Sequence, residues 1–427
     1  MTVTGRVSGA PGLPGVWADL VGQSVAVDVL ARAAAAAARV GDAAAGNRSE
    51  MTQTWLLTGP PGSGRSTAGR AFAAALQCTA PAHVADGTDP DGRRDGRVVY
   101  GCGSCNPCRT VRAGTHPDVL VVATEALSLK VRDIRGLVRD AAMSPTSGRW
   151  LVVVLEDADR LTEDAADALL KSVEEPPPHT VWVLCAPTVD DVPPTIRSRA
   201  RHLQLRTPPA EAVAAFLVAR HGVDPDTALT AARSAQGHIG RARALALDPG
   251  VRARHEAVLD VAGRLTDPAA CARAAADLVQ TATEDAAAST AAADQRGTAQ
   301  LRHQLGLDDG ARADRHASAA LRDLAEDQKV RAKRAGRDHL DRALVDLAAW
   351  YRDVLARQLG ATGPATNAHR DPGLAAAAAA ATPETTLRRI DAVLATREAI
   401  TANVALLLAV ESMTLQILAA GDRHPST

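Results

Sequence analysis

Gly59-Pro-Pro-Gly-Ser-Gly64-Arg65-Ser66 has the spacing GxxxxGK[ST] of a phosphate loop, between an apolar run at 54–58 and helical character at 68–76. Glycines let successive backbone amides curl around a β-phosphate, and the helix that follows contributes partial positive charge from its N-terminus. Gly59, Gly62, Gly64, Arg65, Ser66 and Thr67 are therefore nucleotide-binding candidates, with Ser66 as a magnesium ligand. Arg65 departs from the pattern. It stands where a lysine ammonium would thread between the β- and γ-phosphates, and it offers a broad planar fork instead of a compact donor. Lysine occurs only at Lys130, Lys171, Lys329 and Lys333, which accounts for an arginine here without making it fit. The expectation is weak binding of ATP with Mg²⁺ and weak or absent hydrolysis.

A second acidic feature follows the apolar run 150–155. Glu156 and Asp157 stand at the carboxyl end of that expected strand, where an Asp-Glu pair would hold magnesium and orient water. Here the order is Glu then Asp, which lengthens the side chain near the metal and shortens the would-be base. An exposed acidic turn is the plainer alternative, and efficient catalysis is not expected.

Cys102, Cys105 and Cys108 are spaced as C-x2-C-x2-C, and Cys78 closes the helix after the phosphate loop. Four thiolates suit tetrahedral Zn²⁺, with the Asp/Gly-rich segment 84–97 looping out between them. An iron–sulfur cluster uses similar spacing and is the alternative. A closed four-ligand set leaves no open position, so the metal is structural. Cys185, in an apolar run, and Cys271, in a helical one, read as ordinary buried thiols.

Positioning these groups requires alternating strands and helices. Runs at 54–58, 119–122, 150–155 and 181–185 fit buried parallel strands separated by helical segments, the first after a helix at 25–40. The pattern predicts an α/β doubly wound domain over 16–207, a small helical unit at 208–248 and helices alone over 249–427, an α/β plus all-α fold. Residues 1–15 read as a disordered N-terminus. In the last part Leu344, Leu347, Ala348, Tyr351 and Leu355 share one face, as do Ile390, Val393 and Leu394. The stretch 285–340 has few large apolar groups and suits a solvated helix or disordered insertion. The alanine run 375–381 carries no function.

Hydrophobic residues make up 46% of the chain and aromatics 2%, so cores must be built from Leu, Val and Ala. A formal net charge of −1 excludes a uniformly basic nucleic-acid sleeve. No charge-free apolar stretch reaches membrane-spanning length, which predicts a soluble cytoplasmic protein without a membrane partner.

Several segments together resemble the AAA+ clamp-loader family of bacterial DNA replication. Trp17-Ala-Asp-Leu-Val-Gly22-Gln23 is similar to that family's N-terminal adenine-side motif, and the stretch from Glu156 through Lys171 to Glu174-Glu175-Pro176 is similar to its segment after the acidic pair. Pro194-Thr-Ile-Arg197-Ser198-Arg199 resembles its Ser-Arg-Cys motif, with Ala200 in place of the cysteine. The resemblance covers about 16–248 well and the C-terminal helices loosely. It implies an AAA+ nucleotide-binding domain, a helical lid and a helical collar. It also implies that Arg199, set by Ser198, is an arginine finger supplied in trans to a neighbour's ATP site. Thr188 takes the place of sensor 1, and Arg241, in Gly237-His-Ile-Gly240-Arg241, that of sensor 2.

The altered phosphate loop beside an intact Ser-Arg pair fits the family's stator role. The resemblance then implies gamma/tau-like motor subunits and a delta subunit as partners in a hetero-oligomer of the DNA polymerase III holoenzyme, with the sliding clamp and primer-template DNA reached through the complex. Two alternatives stand beside it: an active motor ATPase of the same family, and an unrelated zinc-containing AAA+ DNA-binding protein.

Overall fold

The structure, a computed structural model, describes residues 15–39, 50–85, 96–123, 128–307 and 315–421. The disordered terminus expected at 1–15 lies outside these residues, except for Gly15, which opens a 3₁₀ turn Gly15–Asp19. The chain divides into two compact units, one of residues 1–225 with 237–241 and the other of 226–236 with 242–427.

In the first unit the chain runs α1 (Ser24–Ala38), β1 (Thr54–Thr58), α2 (Arg65–Leu76), β2 (Ala82–Ala85), β3 (Gly96–Val99), α3 (Asn106–Ala113) and β4 (Val119–Val122). It continues through α4 (Val131–Ala141), β5 (Leu151–Leu155), α5 (Glu163–Glu174), β6 (Thr180–Ala186), α6 (Pro194–Arg197), β7 (Arg201–Gln204) and α7 (Ala210–His221). Among the described residues the main sheet has the order β4-β5-β6-β1-β7, every neighbouring pair parallel. Alternate strand residues feed two cores. Trp55, Leu57, Val152, Val154, Val181 and Val183 face one side with Phe72 and Trp17, while Leu56, Val153, Leu155, Trp182 and Leu184 face the other with Ile134 and Leu169. Both faces are covered, which is why these strands read as unbroken apolar runs.

Helix α2 lies close on this sheet because Gly69 has no side chain, and a Cβ there would come 3.0 Å from a Val154 methyl. Two features escape an apolar-run reading. The edge strand β7 is Arg-His-Leu-Gln, half-exposed or exposed along its length. The antiparallel pair β2–β3 flanks the segment leading into the cysteines.

The second unit is helical: α8 (Pro225–Ser234), α9 (Ile239–Leu247), α10 (Pro249–Arg264), α11 (Pro268–Gln304), α12 (Arg315–Gln358), α13 (Asp371–Ala379), α14 (Pro383–Thr401) and α15 (Leu406–Gly421). Residues 225 and 239–241, which begin α8 and α9, belong to the first unit. The core of the second unit joins Leu259, Leu278, Leu340, Leu344, Leu347, Tyr351, Val393, Val410 and Met413. The stretch 285–340, where described, is helix throughout except for the turn at 305–307. There α11 and α12 run antiparallel, with Asp294 against Arg331 and Thr298 against Gln328. Leu394 departs from the expected face: it is 42% exposed while Val393 is buried, because 393 and 394 are adjacent and about 100° apart around the helix axis.

Candidate functional site

Parallel strands put their carboxyl ends on one edge of a sheet, and the phosphate loop follows β1 at that edge. Gly62 and Gly64 adopt left-handed φ of 83° and 92°, and Gly64 precedes the first residue of α2. The Gly59 amide donates to the Pro187 carbonyl at 3.1 Å, which sets the chain around Thr188 beside the start of the loop. The Thr188 amide in turn donates to Asp191 Oδ2 at 2.8 Å. Gln23 binds the loop from another side. Its Nε2 donates to the Ser63 carbonyl at 3.1 Å and its Oε1 accepts from the Arg206 amide at 3.1 Å.

Much of the cradle meets the chain's own groups. Arg65 Nη1 donates to the Gly59 carbonyl within the same loop, and burial pulls its pKa down against the nearby negative groups, Asp159 and Asp157 among them. His238 packs against Gly62 so closely that a Cβ at Gly62 would lie 2.5 Å from the His238 Cα. That contact carries the turn ending at Arg241 onto the loop, and the Arg241 amide donates to His238 Nδ1 at 3.2 Å. Ser66 is half-buried and Thr67 exposed.

The acidic pair follows β5 on the same edge. Glu156 Oε1 accepts from Arg70 Nε at 2.8 Å and lies 2.7 Å from its Nη2. A guanidinium thus sits on the carboxylate that would face a metal. Asp157 lies 3.6 Å from Arg160 Nε. As it stands, the loop does not fit a magnesium triphosphate: one candidate ligand is neutralised by Arg70, and His238 closes on the amide cradle. Neither Arg70 nor His238 carries a sequence signal, because each acts on a residue far away in the chain.

The Ser-Arg pair lies at the opposite edge. Residue 201 pairs with Trp55 at the start of β1, so Ser198 and Arg199, just before β7, stand at the amino ends of the strands. The carboxyl end of α5 is there too, since Thr54 Oγ1 donates to the Val173 carbonyl at 2.9 Å. Arg199 Nε lies 3.0 Å from Glu174 Oε2, and its Nη2 donates to Glu174 Oε1 at 3.1 Å. Its Nη1 donates to the Thr195 carbonyl at 2.8 Å and to Ser198 Oγ at 3.3 Å.

The four expected cysteines do come together. The sulfurs of Cys78, Cys102, Cys105 and Cys108 lie within 4.8 Å of one another, with Cys105 and Cys78 4.0 Å apart. Tetrahedral zinc with about 2.3 Å bonds asks for sulfurs roughly 3.8 Å apart, so the set fits a structural ion. The Cys102 amide donates to Cys78 Sγ at 3.5 Å and the Cys105 amide to Cys102 Sγ at 3.2 Å, contacts that favour thiolates. A hydrogen bond from Cys108, aided by the amides of Cys102 and Gly101 and opposed by burial, brings Cys78 down to about 4. Giving that bond and being buried push Cys108 up. Cys185 and Cys271 are buried apart from this cluster, as expected, and burial lifts Cys185 to about 12. Among the described residues no helix is long and apolar enough to cross a membrane.

Residues 43–209 match the family model described as DNA polymerase III, delta subunit. The DNA polymerase III subunit delta' of Pseudomonas aeruginosa is 33% identical over 186 residues, covering 43% of this chain and 52% of that protein. The subunit delta' of Escherichia coli is 36% identical over 146 residues, 34% of this chain and 44% of that one. The gamma/tau subunit of Mycobacterium bovis is 30% identical over 168 residues, 39% of this chain and 26% of that protein. The chain thus spans about half or less of the length of these curated relatives. Over its sheet-containing unit it is similar to the delta' and gamma/tau subunits of DNA polymerase III.

Proposed function

We propose that the chain is the stator of a bacterial clamp loader: it keeps the AAA+ fold, hydrolyses little or no ATP itself, and lends Arg199 to a neighbouring motor subunit. The observation that carries this reading is the separation of the two edges. Arg199 lies at the amino edge of the sheet and the chain's own phosphate loop at the carboxyl edge, separated by the length of β1, roughly 15 Å at about 3.3 Å per residue. An arginine there cannot serve the chain's own loop, but it can serve a site on a neighbour. A finger of this kind can supply about 10³ to 10⁵ in rate at the site it enters.

The 16–207 region is the nucleotide-binding domain, 208–248 the lid and 249–427 the collar, with Zn²⁺ held by the four cysteines as a structural staple. Gamma/tau-like motor and delta subunits are the direct partners in the cytoplasm, and the sliding clamp and primed DNA are met through the complex. Relatives named gamma and gamma/tau also match, which favours a motor reading. Arg65 and the Arg70–Glu156 pair weigh against it.

The test is reconstitution with motor and delta subunits, clamp and primed DNA. Clamp-stimulated ATP hydrolysis should fall with Arg199→Ala at unchanged assembly, and the isolated chain should hydrolyse negligibly. Equal rates for the two complexes would remove the finger. Robust hydrolysis by the chain alone, lost on Arg65→Ala, would favour the motor.

A further inference from the structure

A guanidinium has five N–H donors, and in this chain three of those on Arg199 are hydrogen-bonded while its Nε stands at ion-pair distance from Glu174. Nη2 donates to Glu174 Oε1, Nε lies 3.0 Å from Glu174 Oε2, and Nη1 spans the Thr195 carbonyl and Ser198 Oγ. A two-pronged arginine–carboxylate contact fixes the plane of the guanidinium as well as its position. Arg199 is 34% and Glu174 52% exposed along their side chains, so the pair lies at the surface, open to a competing anion.

We propose that Glu174 is a positioning residue that holds Arg199 parked against α5 until a neighbour's nucleotide draws it away. The idea rests on the reading of Arg199 as a finger in trans. The chemistry of the exchange is simple. A carboxylate offers one negative charge and two oxygens, whereas the terminal phosphate of a triphosphate offers more charge and three oxygens. An incoming phosphate can therefore replace Glu174 while the Nη1 contacts to Thr195 and Ser198 still tether the side chain. With Glu174 in place, the Nε and Nη2 side of the guanidinium faces that carboxylate rather than an outside group. The parked finger is a poor one until the subunits close. An exposed ion pair is also weak enough to be broken by such a competitor.

Removing the carboxylate should then raise the rate that the loader shows without clamp and DNA. In the reconstituted complex, Glu174→Gln should lift unstimulated ATP hydrolysis by about two- to fivefold, the range an exposed pair can supply. The gain should appear in kcat with KM for ATP unchanged, and it should be lost in the Glu174→Gln/Arg199→Ala double variant. Glu174→Ala gives a second way of deleting the contact, and Glu175→Gln, one residue on, should leave the rate alone. A change in packing would not separate Glu174 from Glu175 or depend on Arg199.

The outcomes divide cleanly. If Arg199→Ala lowers the stimulated rate while neither Glu174 variant raises the unstimulated one, the parking role is overturned and the stator reading stands. A rise that persists in the double variant also overturns it. If Arg199→Ala has no effect, the finger fails and the parking role with it.

Discussion

Trp17 and Tyr100, 83 residues apart, are joined by a hydrogen bond from the indole Nε1–H to the Tyr100 carbonyl at 2.8 Å. Beside it the Val16 amide donates to the Gly101 carbonyl at 2.9 Å. These bonds fasten the N-terminal turn to the two residues that lead into Cys102. The segment beginning at Trp17 resembles an adenine-side motif, but its indole, 2% exposed, belongs to the core that backs the cysteines.

Trp17→Phe keeps an aromatic ring in that core and removes the bond to Tyr100, a loss of about 1–3 kcal/mol. If the four cysteines hold zinc, the variant should release it to a chelator faster than wild type at the same temperature. Cys105→Ser should lose the metal outright, from about one equivalent per chain, and Cys185→Ser should keep it. Metal analysis and a chromogenic chelator read all three. A Cys105→Ser protein with full zinc would remove the assignment.

Asp118 supplies a pH-dependent term. The residue is 1% exposed, and its carboxylate accepts from the amides of Thr146, Ser147 and Gly148 and from the Ser147 hydroxyl. Burial pushes its pKa up, but these donors outweigh burial and hold it at about 2. The folded pKa lies below the unfolded value of about 3.9, so the stabilisation is complete above pH ~4 and is lost as pH falls toward 2. Asp118→Asn should cost about 2–3 kcal/mol at pH 7, with the gap to wild type closing at acid pH. Urea titrations at several pH values measure it, and a gap that stayed constant down to pH ~2 would rule out the carboxylate's charge as the cause.

How legible all this was depends on range. The parallel strands, the phosphate loop, the acidic pair and the cysteine spacing are local patterns, and each lies where its residues predicted, although β4, expected to be buried, is only half-buried. Glycines at 59, 62 and 64 announce a tight loop by type alone. What occupies the loop is not local: His238 reaches Gly62 from 176 positions away in the sequence, and Arg70 meets Glu156 across the gap between a helix and a strand end. Strand β7 was hidden because, among the described residues, it pairs along one side only and carries a single apolar residue. The 285–340 stretch read as solvated because it buries few large apolar groups, with Ala286, Leu307, Ala317 and, at its last position, Leu340 as its buried apolar residues among those described.

That helical arm leads to a third expectation. The core of the second unit draws on residues 259–282 and 340–417 and on none of the described residues between. Replacing 290–335 by a short turn should therefore leave the packing of Leu344, Leu347, Tyr351 and Val410 intact. The unfolding midpoint should move by no more than about 4 °C, the shift expected for roughly 1 kcal/mol in a unit of this size. By contrast Leu344→Ala, a fully buried truncation, should cost about 3 kcal/mol. Thermal melts of the two variants decide the matter, and an arm deletion that melted like Leu344→Ala would show that the arm carries core stability.

The phosphate loop provides the last test, because two explanations of a silent site make different demands. If Arg65 alone disables it, Arg65→Lys should restore binding of magnesium nucleotide. The geometry predicts otherwise: a lysine at 65 still faces a Glu156 whose carboxylate is held by Arg70. Arg70→Ala frees that carboxylate for a metal, so the Arg65→Lys/Arg70→Ala pair should bind Mg²⁺·ADP at least about tenfold more tightly than Arg65→Lys, the worth of one charge-assisted contact. The gain should vanish in EDTA, since it depends on the metal. His238 still closes on Gly62 in both proteins, which keeps the absolute affinity low and leaves the ratio as the readout. Equal affinities for the single and double variants would mean that Arg70 is a bystander and that the loop is silenced at Arg65 or His238.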